Sequence, residues 1–227
     1  ERDRANARED FTERAWREQS HKFVLGCSRQ KRLGARRPSA TYPPMAIRGA
    51  TLGEEIVLHA LIEGAYRGDS AKRGWTHEAD LLGGQRTDLA ALTEILADPA
   101  QTILVHDDGG ALNGCVLIVD KGVREGRRIA YLGMLTVRPD LQAGGLGRRL
   151  VQHAEAHARG FGADVMEMTV IKQRRELIAW YLRRGYHQTE EERPFPLDDP
   201  RFGLPKQRDL VFVVLRKALI AADQTEP

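Results

Sequence analysis

YLGMLTVRPDLQAGGLGRR, running from Tyr131 to Arg149, holds an apolar strand, a glycine-rich loop and the start of a helix. The strand is Tyr131 to Val137, and Arg138-Pro139-Asp140 closes it. The loop is Gln142-Ala143-Gly144-Gly145-Leu146-Gly147, and Leu146, Leu150, Val151, Ala154 and Ala158 then recur at helical spacing. Glycines between a strand and a helix let backbone N–H groups crowd around an anion at the positive end of the helix. A diphosphate suits such a cradle. A dinucleotide fingerprint needs G-x-G-x-x-G, but Leu150 stands where the third glycine belongs. The ribose-binding acid belongs at the end of the next strand, whereas Asp164 lies at its beginning. A P-loop ends in Gly-Lys-Ser/Thr, and here the loop ends Gly147-Arg148-Arg149. Neither nucleotide motif fits. For the loop taken alone, a structural turn without a ligand stays open.

Outward from this stretch the chain alternates helices and strands. Residues 46–50 read as a first strand, and Thr51-Leu52-Gly53-Glu54 as a capping box. A helix follows to about Tyr66, with Ile56, Val57, Ala60, Leu61 and Ala65 as its predicted inner face. RGDSAKRGWTHEADLLGGQRTD, residues 67–88, is polar and glycine-rich and reads as a long functional loop with one helical turn. A second helix over 88–97 turns Leu89, Leu92 and Leu96 inward. Strands are predicted at 102–106, 112–121, 131–137, 165–171, 186–190 and 209–216. Helices follow the glycine loop and cover 176–184, the latter closed by Gly185. The expected fold is α/β (α+β): a mixed sheet of about seven strands flanked by helices, with hairpins first and a β-α-β unit later.

The chain has 227 residues, and 41% of them are hydrophobic, which permits one large core. Its net charge of +3 is uneven, because residues 1–44 hold 11 of the 35 basic and 6 of the 32 acidic residues. That segment, ending in a basic, proline-bearing stretch, reads as a disordered extension and linker. The expected domain spans 45–220, with 221–227 as a tail, and Met45 reads as a natural start with upstream residues attached. No apolar run reaches the ~18 residues that span a bilayer. The N-terminus does not read as a signal peptide, and Cys27 and Cys115 suggest neither a disulfide nor a zinc site. A cytoplasmic protein is expected, without a membrane partner. No nucleic-acid partner is expected either, although the basic tail leaves one open, as composition leaves a homodimer open. His153 and His157 share a helix face, but Ala154 stands where a zincin carries Glu, so no metal is expected.

Further motifs join the loop. The pattern Q/R-x-x-G-x-G/A, matched by Gln142, Gly145 and Gly147, resembles the pyrophosphate loop of the GNAT acetyltransferase family. Leu135-Thr136-Val137 before Arg138-Pro139 looks like that family's fourth strand, and Val165 to Val170 like its fifth. AWYLRRGY, residues 179–186, is similar to its FYxxxGF segment, with Trp180 and Tyr186 as aromatic variants. The match is strong from Tyr131 to Tyr186 and architectural before that. One position departs: Asn often stands seven residues before the tyrosine, and here that place is Arg174.

The resemblance implies an N-acetyltransferase that passes an acetyl group from acetyl-CoA to a primary amine. Transfer is expected by direct attack in a ternary complex, with a small molecule favoured over a protein N-terminus. The diphosphate would rest on Gln142, Ala143, Gly144, Gly145, Leu146 and Gly147, with Arg148 adding charge. Backbone groups of Leu135, Thr136 and Val137 would polarise the thioester oxygen where the strand splays from its neighbour. Arg174 could meet a cofactor phosphate in place of the missing Asn. Tyr181 takes the general-acid position. A thiol pKa near ~8.5 makes its help worth about 10²-fold. For the base, Glu167 is a carboxylate in an otherwise apolar strand, and His77 and Glu78 are further candidates. Glu190 to Glu192 with Asp198 and Asp199 would form an acidic rim attracting a cationic amine, whereas Lys72, Arg73 and Arg86 would favour a carboxylate. Trp75 and Phe195 either line the acceptor pocket or anchor their loops. The alternative function is a catalytically silent CoA-binding regulatory module of the same fold.

Overall fold

The computed structural model describes residues 46–109 and 111–219, so the expected extension over 1–44 and tail over 221–227 lie outside the described residues. Strand β1 (Ala46–Gly49) leads to helix α1 (Glu55–Tyr66), a single turn α2 (Gly68–Ala71), a two-residue strand β2 (Leu82–Gly83) and helix α3 (Leu89–Ala97). Strands β3 (Gln101–Asp107), β4 (Leu112–Arg124) and β5 (Arg127–Val137) form a meander. Helix α4 (Leu146–Gly160), strand β6 (Val165–Ile171) and helix α5 (Arg175–Leu182) follow. The chain then runs through β7 (His187–Pro194), β8 (Leu204–Pro205) and β9 (Val211–Ala218). The main sheet has seven strands in the order β1-β3-β4-β5-β6-β9-β7, and β2 pairs with β8 in a separate ladder.

The central strands have both faces covered, which is why they read as apolar runs. Alternate residues of β3 and β4 go to opposite faces. Leu104, Val116 and Ile118 pack with Leu150, Val151, Ala154 and Ala158 of α4, while Ile103, Val105, Cys115 and Leu117 meet Leu58, Leu61 and Ile62 of α1 and Leu92 of α3. The predicted inner face of α1 is therefore rotated. Ile56 is 72% and Val57 50% exposed, and Leu58 and Ile62 take their place in the core. The N-terminus of α1 explains the shift. Glu54 does reach back to the Thr51 N–H at 2.8 Å, as a capping box requires, but the helix begins at Glu55 and Glu54 also pairs with Arg48. Likewise Leu89 lies 46% exposed at the start of α3, where Asp88 caps the helix through the Ala91 N–H at 2.8 Å.

Strand β5 carries a bulge. Thr136 lies opposite Cys115 and Gly133 opposite Leu117, so Met134 and Leu135 face Val116 alone. Met134 takes a left-handed φ of 45°, and its carbonyl accepts from the Thr136 hydroxyl at 2.9 Å and more weakly from the Cys115 thiol at 3.8 Å. The extra residue moves Met134 to the α1 face, whereas Ala130 and Leu132 pack toward α4. The fit around the bulge is tight. A Cβ at Gly114 would sit 2.7 Å from the Thr136 carbonyl and 2.9 Å from a Leu150 methyl. Gly114→Ala is thus expected to lower stability by about 1–3 kcal/mol. A urea titration reads this, and an unmoved midpoint would show that the β4–β5 pair yields freely.

Candidate active site

Strands β5 and β6 run parallel, but their pairing covers only Ile129–Tyr131 with Val165–Glu167. Beyond it they part, and the Tyr131 and Thr169 hydroxyls meet between them at 2.8 Å. The parting leaves one backbone edge of the bulged end of β5 without a strand partner. Tyr66 from α1 donates its hydroxyl proton to the Leu135 carbonyl at 2.9 Å, and the Gln142 amide donates to the Val137 carbonyl at 3.2 Å. A cleft opens along this edge. Its walls are Leu135 to Val137, the glycine loop, the inner side of α5, and Trp75 to His77 arriving from the long loop after α1.

The glycine loop turns into α4 through two left-handed residues, Ala143 at φ 66° and Gly145 at φ 85°. Gly145 is the N-cap and no side chain caps the helix there, so the first-turn N–H groups lack intrahelical partners. Of the residues expected to hold a cofactor, Leu135, Thr136, Val137, Gln142, Ala143, Gly145, Gly147, Arg148 and Arg174 line the cleft. Gly144 does not, and Leu146 sends its side chain into the core beneath α4, leaving only its backbone to the loop. Gln142 is wedged in place. A Cβ at Gly74 would collide with its amide, which shows how closely the 72–77 segment lies on the loop.

Tyr181 lines the cleft from α5 with 4% exposure. Its ring stands edge-on to Trp180 at 5.0 Å and to Tyr186 at 5.7 Å. Burial, ahead of the neighbouring Tyr66, raises its phenol well above the usual value of 10, so the proton stays on at neutral pH. Trp180 faces Trp75 at 6.5 Å, and the Arg184 guanidinium lies 3.3 Å over the Trp180 ring. Phe195 is instead buried against Phe202 and Phe212, so it anchors its loop.

The structure does not bring Glu167 to this cleft. Its oxygens meet Arg193 Nη2 at 2.9 Å and Arg216 Nε at 2.8 Å, because β9 places Arg216 opposite it. The clamp, extended by Glu191, ties β6, β9 and β7 together. His77 does line the cleft, with Nδ1 buried and unpartnered and Nε2 3.9 Å from Asp80.

Glu78 lies behind the wall in a group that sequence reasoning missed. Arg67 Nη1 reaches one oxygen at 2.9 Å, Arg174 Nη1 the other at 2.8 Å, and Arg86 Nε stands 3.9 Å away. Burial alone would raise the Glu78 carboxyl, but Arg174, Arg86 and Arg67 together hold it below the usual range. Arg174 is therefore engaged by the protein, with Nη2 donating to Thr76 Oγ1 at 2.8 Å. The only sequence signal was a dense set of charges around Trp75 in a segment without periodicity.

Known proteins match this architecture. The acetyltransferase (GNAT) family model matches residues 69–186. An amino-acid acetyltransferase of Ralstonia nicotianae is 35% identical over 94 residues, covering 41% of this chain but only 19% of that protein's length. An N-acetyltransferase from Staphylococcus aureus Mu50 superposes with a TM-score of 0.57 at 10% identity, over 78% of this chain and 99% of that one. The Salmonella typhimurium protein YncA, solved with its cofactor acetyl-CoA, gives 0.56 at 20% identity, over 82% and 98%. At these identities the two structures share the fold. The match of the family model over more than half the chain, with the glycine loop and Tyr181 inside it, shows that the chain belongs to the GNAT acetyltransferases, a family of acetyl-CoA-dependent acyltransferases.

Proposed function

We propose that this chain is an N-acetyltransferase that moves the acetyl group of acetyl-CoA to the primary amine of a small molecule, by direct attack in a ternary complex. The observation that carries the reading is one cleft joining an uncapped helix N-terminus, an unpaired strand edge and a protonated tyrosine. The residues fit the cosubstrate. First-turn N–H groups of α4 and the exposed Arg148 hold its diphosphate. When bound, acetyl-CoA supplies the activated acyl group. The free edge of Leu135 to Val137 orients the thioester and polarises its oxygen as the amine attacks the carbonyl carbon. Tyr181 gives its proton to the departing sulfur as the C–S bond breaks, and the proton that the attacking nitrogen loses passes to water and from there restores the Tyr181 hydroxyl.

Two features favour a small acceptor and direct transfer. The β2–β8 ladder pairs Leu82 with Pro205 and Gly83 with Leu204, joining the loop that supplies Trp75 to His77 to the cleft with the loop after β7. Cys115 is fully buried and burial pushes its thiol up to about 12, so it is no acyl-carrying nucleophile. The second reading, a silent CoA-binding module, draws on Arg174, which replaces the family's Asn and spends two of its nitrogens on Glu78 and Thr76.

Calorimetric titration with acetyl-CoA tests the proposal. The parent protein binds in the micromolar range, and Gly147→Trp, which fills the space between Val137 and Trp180, abolishes binding. A parent protein that does not bind acetyl-CoA overturns the reading.

A further inference from the structure

Tyr66 ends α1 and lines the cleft opposite the glycine loop. Gln142 of the loop bonds the Val137 carbonyl, and the Tyr66 hydroxyl bonds the Leu135 carbonyl at 2.9 Å, so the two residues mark opposite ends of the free edge of β5. The Tyr66 ring is held from other sides as well. It is partly buried against the core group that contains Leu58, Ile62 and Met134, and the Arg86 guanidinium lies over it at 5.1 Å. Arg86 is itself fixed, since its backbone N–H bonds Glu63 Oε1 at 2.6 Å and its Nε stands 3.9 Å from Glu78. Arg67, the next residue after Tyr66, bonds Glu78 directly. Moving the ring aside would therefore disturb Arg86 and the buried carboxylate it serves. Breaking such a cluster costs more than a few buried methylenes gain.

A second ring stands along the strand. The Tyr131 hydroxyl meets Thr169 between β5 and β6, and its ring folds back over Gly133, where a Cβ would lie 3.2 Å from it. Behind Tyr131 the two strands are paired. The free edge thus ends against two aromatic rings, Tyr66 across it and Tyr131 along it.

We infer that Tyr66 sets the length of the acyl group, admitting acetyl and turning away butyryl and longer chains. The inference rests on the transferase reading. With the diphosphate at the glycine loop and the thioester on the edge of Leu135 to Val137, the free end of the acyl group falls on the Tyr66 side. An acetyl group ends there in a single methyl. Each further methylene has to displace a ring fixed by its hydroxyl, its stacked guanidinium and its core packing, and overfilling a fixed site is unfavourable.

Calorimetric titrations with CoA, acetyl-CoA, butyryl-CoA and hexanoyl-CoA test this without any acceptor. The parent protein is expected to bind acetyl-CoA about 10- to 100-fold more tightly than hexanoyl-CoA, the scale of an overfilled site. Tyr66→Leu and Tyr66→Ala should reverse that order, because each methylene entering the vacated space gains up to about fourfold, while affinity for CoA, which has no acyl group, holds. Tyr66→Phe should keep the parent's order, since the ring sets the length and the hydroxyl does not. A parent protein that binds hexanoyl-CoA as tightly as acetyl-CoA overturns the inference, whether or not the smaller variants fold. An unchanged order in Tyr66→Leu, an equal weakening of every ligand in it, or a reversed order in Tyr66→Phe does the same, and each leaves cosubstrate recognition standing. A parent protein that binds neither CoA nor acetyl-CoA overturns the transferase reading, and this inference with it.

Discussion

Glu78→Gln is expected to destabilise the folded chain by about 3–5 kcal/mol, the cost of removing one partner from a buried ion cluster. Three guanidiniums share this carboxylate, and two of them, Arg67 and Arg174, donate to it directly. Glutamine keeps the shape but removes the charge, leaving Arg67 buried with three nitrogens facing no anion. The effect has a defined pH dependence. The folded carboxyl lies below its ordinary value of 4.5, so its contribution is fully present above that pH and is lost as pH falls through the folded value. Urea midpoints of parent and variant should therefore differ most near neutrality and converge in acid. A difference under about 1 kcal/mol at pH 7, the range of exposed pairs, would mean that water reaches the cluster.

Tyr181→Phe should lower kcat by about 10²-fold while acetyl-CoA affinity stays at the parent level. The loss corresponds to nearly 3 kcal/mol of transition-state stabilisation, at about 1.36 kcal/mol per tenfold. Phenylalanine retains the edge-on contacts with Trp180 and Tyr186, so the change is confined to one hydroxyl. Because burial raises the phenol well above 10, this group alone gives no falling limb in the pH–rate profile below about pH 10. An unchanged kcat would remove Tyr181 from the chemistry. A parent protein that binds acetyl-CoA but acetylates no amine would instead favour the regulatory module.

The sheet and the glycine loop were legible because local physics fixes them. Val165 to Ile171 is an apolar run at strand length, and the observed strand has those bounds. Gly185 takes φ 84°, as a glycine closing a helix should. Elements were missed where tertiary contacts outweigh local pattern. Glu191 and Glu192 read as a charged rim beyond the strand expected at 186–190, yet they lie in β7, where Arg193 and Arg216 pair with Glu191 and Lys172 with Glu192. Arg67, Glu78 and Arg174 meet across separations of 11 and 96 residues, and no periodicity connects them. Glu167 stood out as a carboxylate in an apolar strand, but its partners come from β7 and β9, which a linear reading cannot place beside it.

The ladder between Leu82–Gly83 and Leu204–Pro205 also constrains how such a chain can diversify. It couples segments more than a hundred positions apart, and the register is sterically fixed, since a Cβ at Gly203 would meet the Gly83 carbonyl at 2.8 Å and Arg67 Nη2 at 3.0 Å. A graft of either loop alone would break the pairing and disturb Arg67 behind it. Recombination between relatives should therefore succeed only when both loops are exchanged as a matched pair, a unit split in sequence and joined in space.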